Sequence, residues 1–214
     1  SGVFYVFEGW IQFEAGKYDR AKELFSATLL ADIGSETNYY DHAYAGLGWT
    51  AIYKANINIG IERDNLRIEA MDHFDSASVG VDARIASGDM SGADSLVYAN
   101  VMAGKTFNTS YLALDKALEF YSDGSDDLVW DEALEYSQLV ILYSDSLLST
   151  FGTYNFEYDD NINVEDIRTL RAQSYIRLSD FESAALEIEL ITTLDCNLSQ
   201  ISVVECLHST ELNP

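Results

Sequence analysis

A four-residue pattern recurs along this chain: an aromatic residue, an acid, a polar residue and then alanine. The copies begin at Tyr18, Trp130 and Phe181. In the first copy, Phe25 follows Ala21 by four residues, and Ala70 and Phe74 repeat that spacing without the full pattern. Because residues four apart share one face of a helix, this recurrence predicts a chain built from repeated helical units.

Small residues stand at matching points of the predicted helices. The first helices carry Gly9, Gly48, Gly104 and Ala172, and the second helices carry Ala21, Ala70, Ala133 and Ala184. Helices approach closely where one presents a small residue to a bulky residue of the other, so the pattern predicts antiparallel helix pairs. Pro214 is the only proline, which favours long helices because proline inside a helix removes a hydrogen bond and clashes.

These small and aromatic positions resemble those of the tetratricopeptide repeat family, whose unit has about 34 residues. The resemblance covers residues 1–195 in four units, at about 2–35, 41–78, 91–147 and 163–195. It implies an all-α fold, a right-handed α-solenoid of about four antiparallel helix pairs with insertions. Residues 196–214 are expected to form a C-terminal tail.

The chain departs from the family pattern at several points. Ile33 stands where a proline often ends such a unit, and Ser137 and Ile188 replace the aromatic residue in the later units. Residues 80–91, which contain Gly80 and Gly88, are expected to form the longest break between helices. These departures leave the boundaries of the second and third units open by several residues.

A finer resemblance lies in residues 154–159, 161–163 and 166–168, and in the Gly-Trp pairs at Gly9 and Gly48. These residues are similar to exported bacterial lipoproteins built from such repeats, a group that implies no defined activity. The resemblance implies an exported protein, extracellular or on the surface of a bacterium.

The charge balance excludes some partners. The chain has 36 acidic and 12 basic residues, a net charge of −24. Nucleic-acid binding depends on Lys and Arg that neutralise phosphates, and anionic lipid likewise attracts basic segments. We therefore expect no nucleic-acid or peripheral membrane partner. No stretch approaches the ~20 apolar residues of a transmembrane helix.

No pattern in the chain predicts catalysis. His42, His73 and His208 are scattered, without the spacing of a metal site, and the acidic loops do not match a calcium-binding loop. The chain has neither a Gly-rich phosphate loop nor a Gly-x-Ser-x-Gly elbow. We expect a non-enzymatic protein with no metal or cofactor.

Two kinds of covalent modification are suggested by the sequence. Cys196 and Cys206 are close enough for a disulfide that closes a small loop and contributes about 2–3 kcal/mol. A disulfide favours an exported protein, whereas two free thiols in a cytosolic protein are the alternative. Asn108 and Asn197 each begin an Asn-x-Ser/Thr acceptor for glycosylation, although such matches arise by chance in a chain rich in these residues.

The first helices of stacked pairs line a concave groove, and this register predicts a protein-binding surface. Its residues, together with the apolar first helix, are Val3, Val6, Phe7, Trp10, Phe13, His42, Trp49, Ile52, Tyr98 and Lys105. Tryptophan is a common interface anchor. The alternative is that Trp10 and Trp49 pack on each other or on neighbouring helices.

The first predicted helix has almost no polar face, although a terminal repeat should carry one because nothing stacks beyond it. Something is therefore expected to cover this helix, either the C-terminal tail or another molecule. This leaves two hypotheses. The chain is a scaffold that binds a different protein, or it is a subunit whose first helix docks on an identical copy, with head-to-tail contacts that build a filament.

Overall fold

The predicted all-α fold is confirmed for the part of the chain that the structure describes. The computed structural model describes residues 2–31, 38–88, 91–123 and 127–191, which form eight helices and no strand. They are α1 Gly2–Glu14, α2 Tyr18–Leu30, α3 Asn38–Asn56, α4 Gly60–Ser87, α5 Gly92–Asp123, α6 Asp127–Thr150, α7 Val164–Arg177 and α8 Phe181–Glu189. In the second predicted unit, at about 41–78, α3 begins earlier, at Asn38, and α4 continues to Ser87. None of the described helices combines the length and apolarity that crossing a bilayer requires.

The chain divides into two compact units. Unit 1 contains α1 to α4, the part of α5 up to Gly104, and the separate segment Phe156–Asp160. Unit 2 contains the remainder of α5 from Lys105, together with α6, α7 and α8. The two units use different side chains to bring their helices together.

In unit 1, the first close contact is made by Phe25 of α2, which is fully buried between two glycines. A methyl group at Gly9 of α1 would lie 2.6 Å from Cε1 of Phe25, and one at Gly46 of α3 would also overlap the ring. The ring therefore occupies the volume that two side chains would otherwise fill. This contact brings α1, α2 and α3 together.

Phe74 of α4 repeats the arrangement one helix pair later. It is fully buried, and a methyl group at Gly48 of α3 would lie 2.6 Å from its Cε1. A methyl group at Gly104 of α5 would overlap the same ring. Gly46 and Gly48 thus place α3 against one phenylalanine of the preceding helix and one of the following helix.

The predicted break over residues 80–91 is wrong for most of its length, because α4 continues to Ser87. Gly80 lies inside the helix, where its missing side chain makes room for the carboxylate of Asp41. Arg84, one turn further, donates to Asp41 Oδ2 at 2.6 Å and to Asp94 Oδ1 at 2.7 Å. The helix ends at Gly88, whose φ of +74° is a left-handed C-cap that glycine adopts without strain.

Unit 2 replaces the phenylalanine–glycine contact with arginine and small residues. The buried residues of α6 are Ala133, Ser137, Val140, Ser144 and Leu147. From α7, Arg171 donates to Ser144 Oγ at 2.8 Å and to Glu187 Oε1 of α8 at 2.8 Å. The serine hydroxyls in turn donate to carbonyl groups of their own helix. The guanidinium group therefore joins three helices, and its buried charge is paired.

We predict that Gly9→Ala destabilises the protein although alanine is the better helix former. The added methyl group overlaps Phe25, and overpacking costs about 1–3 kcal/mol, more than the ~1 kcal/mol gained in helix propensity. Denaturant unfolding followed by circular dichroism measures the change.

Gly92→Ala is the matched control, because it adds the same methyl group to a helical glycine with no atom within 4 Å. It should be neutral or stabilising. Phe25→Leu in the Gly9→Ala background should recover part of the loss. Equal stability changes in the two alanine variants would show that the Phe25 contact is unimportant.

Candidate functional site

The residues predicted to bind a partner differ widely in exposure. The buried ones are Val6, Trp10, Phe13, Trp49, Ile52 and Lys105. Val3, His42 and Tyr98 are half-buried, and Phe7 is 54% exposed. The structure therefore leaves few of these side chains open to solvent, and the contacts of Trp10 and Trp49 explain why.

Four of the aromatic side chains from α1 and α3 form one surface, which we call the aromatic groove: Trp10, Phe13, Trp49 and Tyr53. Residues three or four apart on a helix lie on the same face, so Trp10 and Phe13 are neighbours, as are Trp49 and Tyr53. Phe13 and Tyr53 join the two helices, with ring centroids 5.0 Å apart. The groove is apolar apart from the indole nitrogens and the tyrosine hydroxyl.

The aromatic groove is filled by a segment of the same chain, Phe156–Asp160, which we call the docking segment. Phe156 is fully buried and stacks on Trp49, with centroids 4.3 Å apart and planes inclined by 24°. Tyr158 stacks on Trp10 at 4.0 Å, with planes inclined by 7°. Two tryptophans of the groove thus each hold one aromatic ring of the docking segment.

A polar contact comes after the two stacked rings. The hydroxyl of Tyr53 donates to Oδ2 of Asp159. Burial raises the pKa of Tyr18, and the negative charge of Asp159 raises it further. The ring of Tyr18 lies 5.3 Å from that of Tyr53. Burial also raises the pKa of Tyr158, so its phenol remains neutral. The residues of the groove therefore contact Phe156, Tyr158 and Asp159 of the docking segment.

Tyr18 also lines an open pocket at the turn between α1 and α2. The pocket is lined by Gly16, Lys17, Tyr18, Asp19, Arg20, Lys54 and Ile57. Lys54 is paired with Asp19 at 2.7 Å. Lys17 is exposed and has no ion pair within the described residues. Arg20 is paired with Glu23 at 2.6 Å, so Lys17 is the cation of this pocket that has no such pair within the described part of the chain.

One buried donor of the groove lacks an acceptor. The indole nitrogen of Trp49 donates to the carbonyl of Asn100 at 3.0 Å. The corresponding Nε1 of Trp10 is buried and has no hydrogen-bond partner within the described part of the chain. An unsatisfied buried N–H is costly, so the docking segment fills the groove without meeting all of its hydrogen-bonding capacity.

In unit 2, the residues on either side of the docking segment are held in a defined conformation. Asn155 and Asn163 form an isolated antiparallel bridge. Asn163 then caps α7 by accepting from the backbone of Glu165, while Asp166 accepts from the backbone of Asn163. Capping of this kind defines where a helix begins. The docking segment is thus part of a short loop, and the residues that flank it are joined by the Asn155–Asn163 bridge.

Two further predicted site residues make aromatic contacts of their own. Phe7 meets Tyr39 edge-on at 5.8 Å, and Lys105 lies over the ring of Tyr143 in unit 2. The sequence suggested glycosylation at Asn108. Asn108 is fully buried within α5, where a bulky glycan has no room, so that suggestion is wrong for this residue. Cys196, Cys206 and Asn197 lie outside the described residues.

The described residues contain no group of three His, Cys, Asp or Glu side chains placed to hold a metal ion. Comparison of the chain with protein-family models, with curated proteins and with solved structures found no match. The assignment of function therefore depends on the contacts and exposed surfaces of the chain.

Sequence reasoning singled out residues 154–159 as a resemblance but gave them no role. The signal that was available is the alternation of Tyr154, Phe156 and Tyr158 with polar residues in a region with no helical pattern. Large aromatic residues in a loop are expected to be covered by something. The sequence contains no indication of which helices cover them.

We predict that His42 contributes to acid destabilisation. Burial lowers its pKa from 6.5 to about 4, with Arg84 acting in the same direction and Asp94 against it. Between these values the unfolded chain binds the proton more tightly, so the free energy of unfolding falls as pH decreases through this window. After allowance for solvent screening of a half-buried ring, we expect His42 to account for about 1–2 kcal/mol.

Denaturant unfolding at about pH 7.5 and about pH 5 tests this contribution. The difference between the two free energies should be smaller in His42→Gln than in the wild type. Since every other titrating group is shared, the comparison isolates the imidazole. An identical difference in both proteins would mean that His42 is as easily protonated in the folded state as in the unfolded one.

Proposed function

We propose that the chain is a non-enzymatic helical-repeat scaffold of the tetratricopeptide type that mediates protein–protein interaction. The packing order in unit 1 supports this proposal, because α1 contacts α2 and α3, and α3 contacts α4. The two phenylalanine–glycine contacts, one helix pair apart, support stacking of successive helix pairs. The proposed arrangement is a right-handed α-solenoid of about four antiparallel helix pairs. The partner on this proposal is a protein, with no nucleic acid or cofactor involved.

The observation that carries the proposal is the apolar outer face of α1. Phe4, Phe7 and Ile11 are 63%, 54% and 56% exposed, and their spacing of three and four residues places them on one stripe. Contiguous apolar surface on a soluble domain marks an interaction site. This stripe gives α1 an apolar face on which a partner can stack.

The proposed location is outside the cell, or on its surface, in a bacterium. The support is the resemblance of residues 154–159, 161–163 and 166–168, and of the Gly-Trp pairs at Gly9 and Gly48, to exported lipoproteins of this type. The high density of acidic residues is compatible with a saline or cation-rich medium, and it argues against binding to nucleic acid.

A photoreactive amino acid tests the interaction face directly. Benzoylphenylalanine at position 7 should crosslink the chain to one protein of defined mass in the cells that produce it. The matched control carries the same residue in place of Ile68, which is 60% exposed on α4, and should give no such adduct. Equal labelling from both positions, or none from position 7, would contradict the proposal.

The alternative is a self-assembling structural subunit, in which the stripe on α1 docks on an identical copy and builds an extracellular filament head to tail. The same exposed stripe favours this alternative. It predicts association that increases with protein concentration in sedimentation velocity, and filaments in electron micrographs of the pure protein.

Phe7→Glu with Ile11→Glu should abolish this association, because two charges would be buried in the contact. Ile68→Glu with Leu142→Glu is the matched control, since it adds the same charge at similarly exposed apolar positions. A monodisperse wild-type monomer at high concentration removes the filament hypothesis and leaves the scaffold.

A further inference from the structure

We propose that residues 201–207 of this chain dock on the outer face of its last described helix. This face, which we call the α8 face, is formed by Leu186 of α8 and by Leu190, the residue that caps the helix. The occupant belongs to residues 192–214, which lie outside the described residues and which we call the terminal segment. A face covered in this way is closed to a second copy. The inference goes beyond the proposed scaffold function, because it concerns a contact within the chain.

The α8 face departs from the other second helices at one position. Two residues after the buried alanine, α2, α4 and α6 each carry an exposed acidic residue, namely Glu23, Asp72 and Glu135. In α8 the residue at this position is Leu186, which is 58% exposed. An acidic side chain is suited to a solvated face, whereas a leucine contributes to stability only where something covers it.

The leucines of the α8 face are not needed for packing α8 on its neighbour α7. The buried residues of α8 are Ala184, Glu187 and Ile188, and Arg168 and Arg171 of α7 both donate to the Glu187 carboxylate. Leu190 follows Leu186 by four residues, so both lie on one side of the helix, and Leu190 is 55% exposed. The contact with α7 therefore leaves an apolar pair uncovered.

The chain itself supplies an occupant within reach. The terminal segment begins two residues after Leu190. Residues 192–200 alone, as a flexible linker, would span about 15–18 Å, whereas two residues four apart along a helix are separated by only ~6 Å. Residues 201–207 can therefore return to the α8 face without displacing any described helix.

The composition of the terminal segment fits this role. It has seven leucine, isoleucine and valine residues but three charged ones, all acidic. Ile201, Val204 and Leu207 follow one another at intervals of three, a spacing that places side chains on one side of a helical turn. Segments that remain solvated are typically poor in such residues and rich in charge. The segment thus offers an apolar side to match the two leucines.

The same chain is favoured over a second copy as the source of the occupant. A short tether gives a segment an effective concentration in the millimolar range. A second molecule lacks this advantage, and it brings the same net charge of −24, which opposes association. The α8 face is therefore assigned to the terminal segment.

The test places benzoylphenylalanine at position 186 of the full chain. Irradiation should join this position to residues 192–214 of the same molecule. Cleavage after Glu187 and Glu189 separates position 186 from the terminal segment, so mass spectrometry detects the adduct as two joined peptides. In a mixture of isotope-labelled and unlabelled chains, no adduct should contain both forms. The matched control has the same residue in place of Glu135, at the corresponding position of α6, and should give no adduct with the terminal segment.

Substitution measures the same contact by stability. Leu186→Glu introduces the kind of acid that the other second helices carry, and under the terminal segment its charge would be buried, so the unfolding equilibrium constant should rise at least about tenfold. Leu142→Glu, at a residue of α6 that is 57% exposed, is the matched control and should change this constant less than about threefold. Leu207→Glu should act like Leu186→Glu, and combining the two should add little, because they remove one contact.

Three outcomes would overturn the proposal. An adduct that joins two copies would assign the α8 face to self-association. The absence of an adduct with residues 192–214, or equal effects of Leu186→Glu and Leu142→Glu, would mean that the terminal segment does not cover the face. Crosslinking from position 7 of α1 does not involve α8, so it reports on the scaffold function separately.

Discussion

The contact between a phenylalanine and two glycines is the interaction on which unit 1 depends. Phe25 lies against Gly9 and Gly46, and Phe74 against Gly48 and Gly104. Each ring fills space on two helices, so each phenylalanine links its own helix both to its pair and to the next pair. Dense packing of this kind tolerates little change in volume. The positions of these glycines in the sequence therefore mark the points where neighbouring helices approach one another.

Unit 2 reaches close helix packing by a different chemistry. Its α6 presents alanine and serine to α7, and Arg171 extends between them to Glu187 of α8. Burying a guanidinium group costs free energy unless its charge and donors are satisfied, and here a carboxylate and a serine hydroxyl accept from it. The close approach of α6, α7 and α8 therefore depends on a paired arginine rather than on a buried phenylalanine.

The docking segment covers the tryptophans that the sequence had suggested as a binding surface. A concave surface with two tryptophans suggests an open binding site, but Phe156 and Tyr158 cover it within the same chain. Exposed apolar surface is instead found on α1, at Phe4, Phe7 and Ile11. The aromatic side chains of the groove are therefore part of the packed core of unit 1, and the exposed apolar residues of α1 are not.

The sequence by itself determined the all-helical fold, because helix periodicity, the lack of internal proline and the small residues are properties of neighbouring positions. It also identified Gly9, Gly48 and Gly104 as close-packing positions, since each recurs in register with a bulky residue of another helix. Only the tertiary structure decided that Gly80 lies within α4 and that Phe156–Asp160 fills the aromatic groove. Gly80 suggests a break when it is considered alone, but inside α4 its missing side chain makes room for Asp41, a residue distant in sequence. The docking segment is separated from Trp10 by most of the chain, and a contact over that distance leaves no local pattern in either segment.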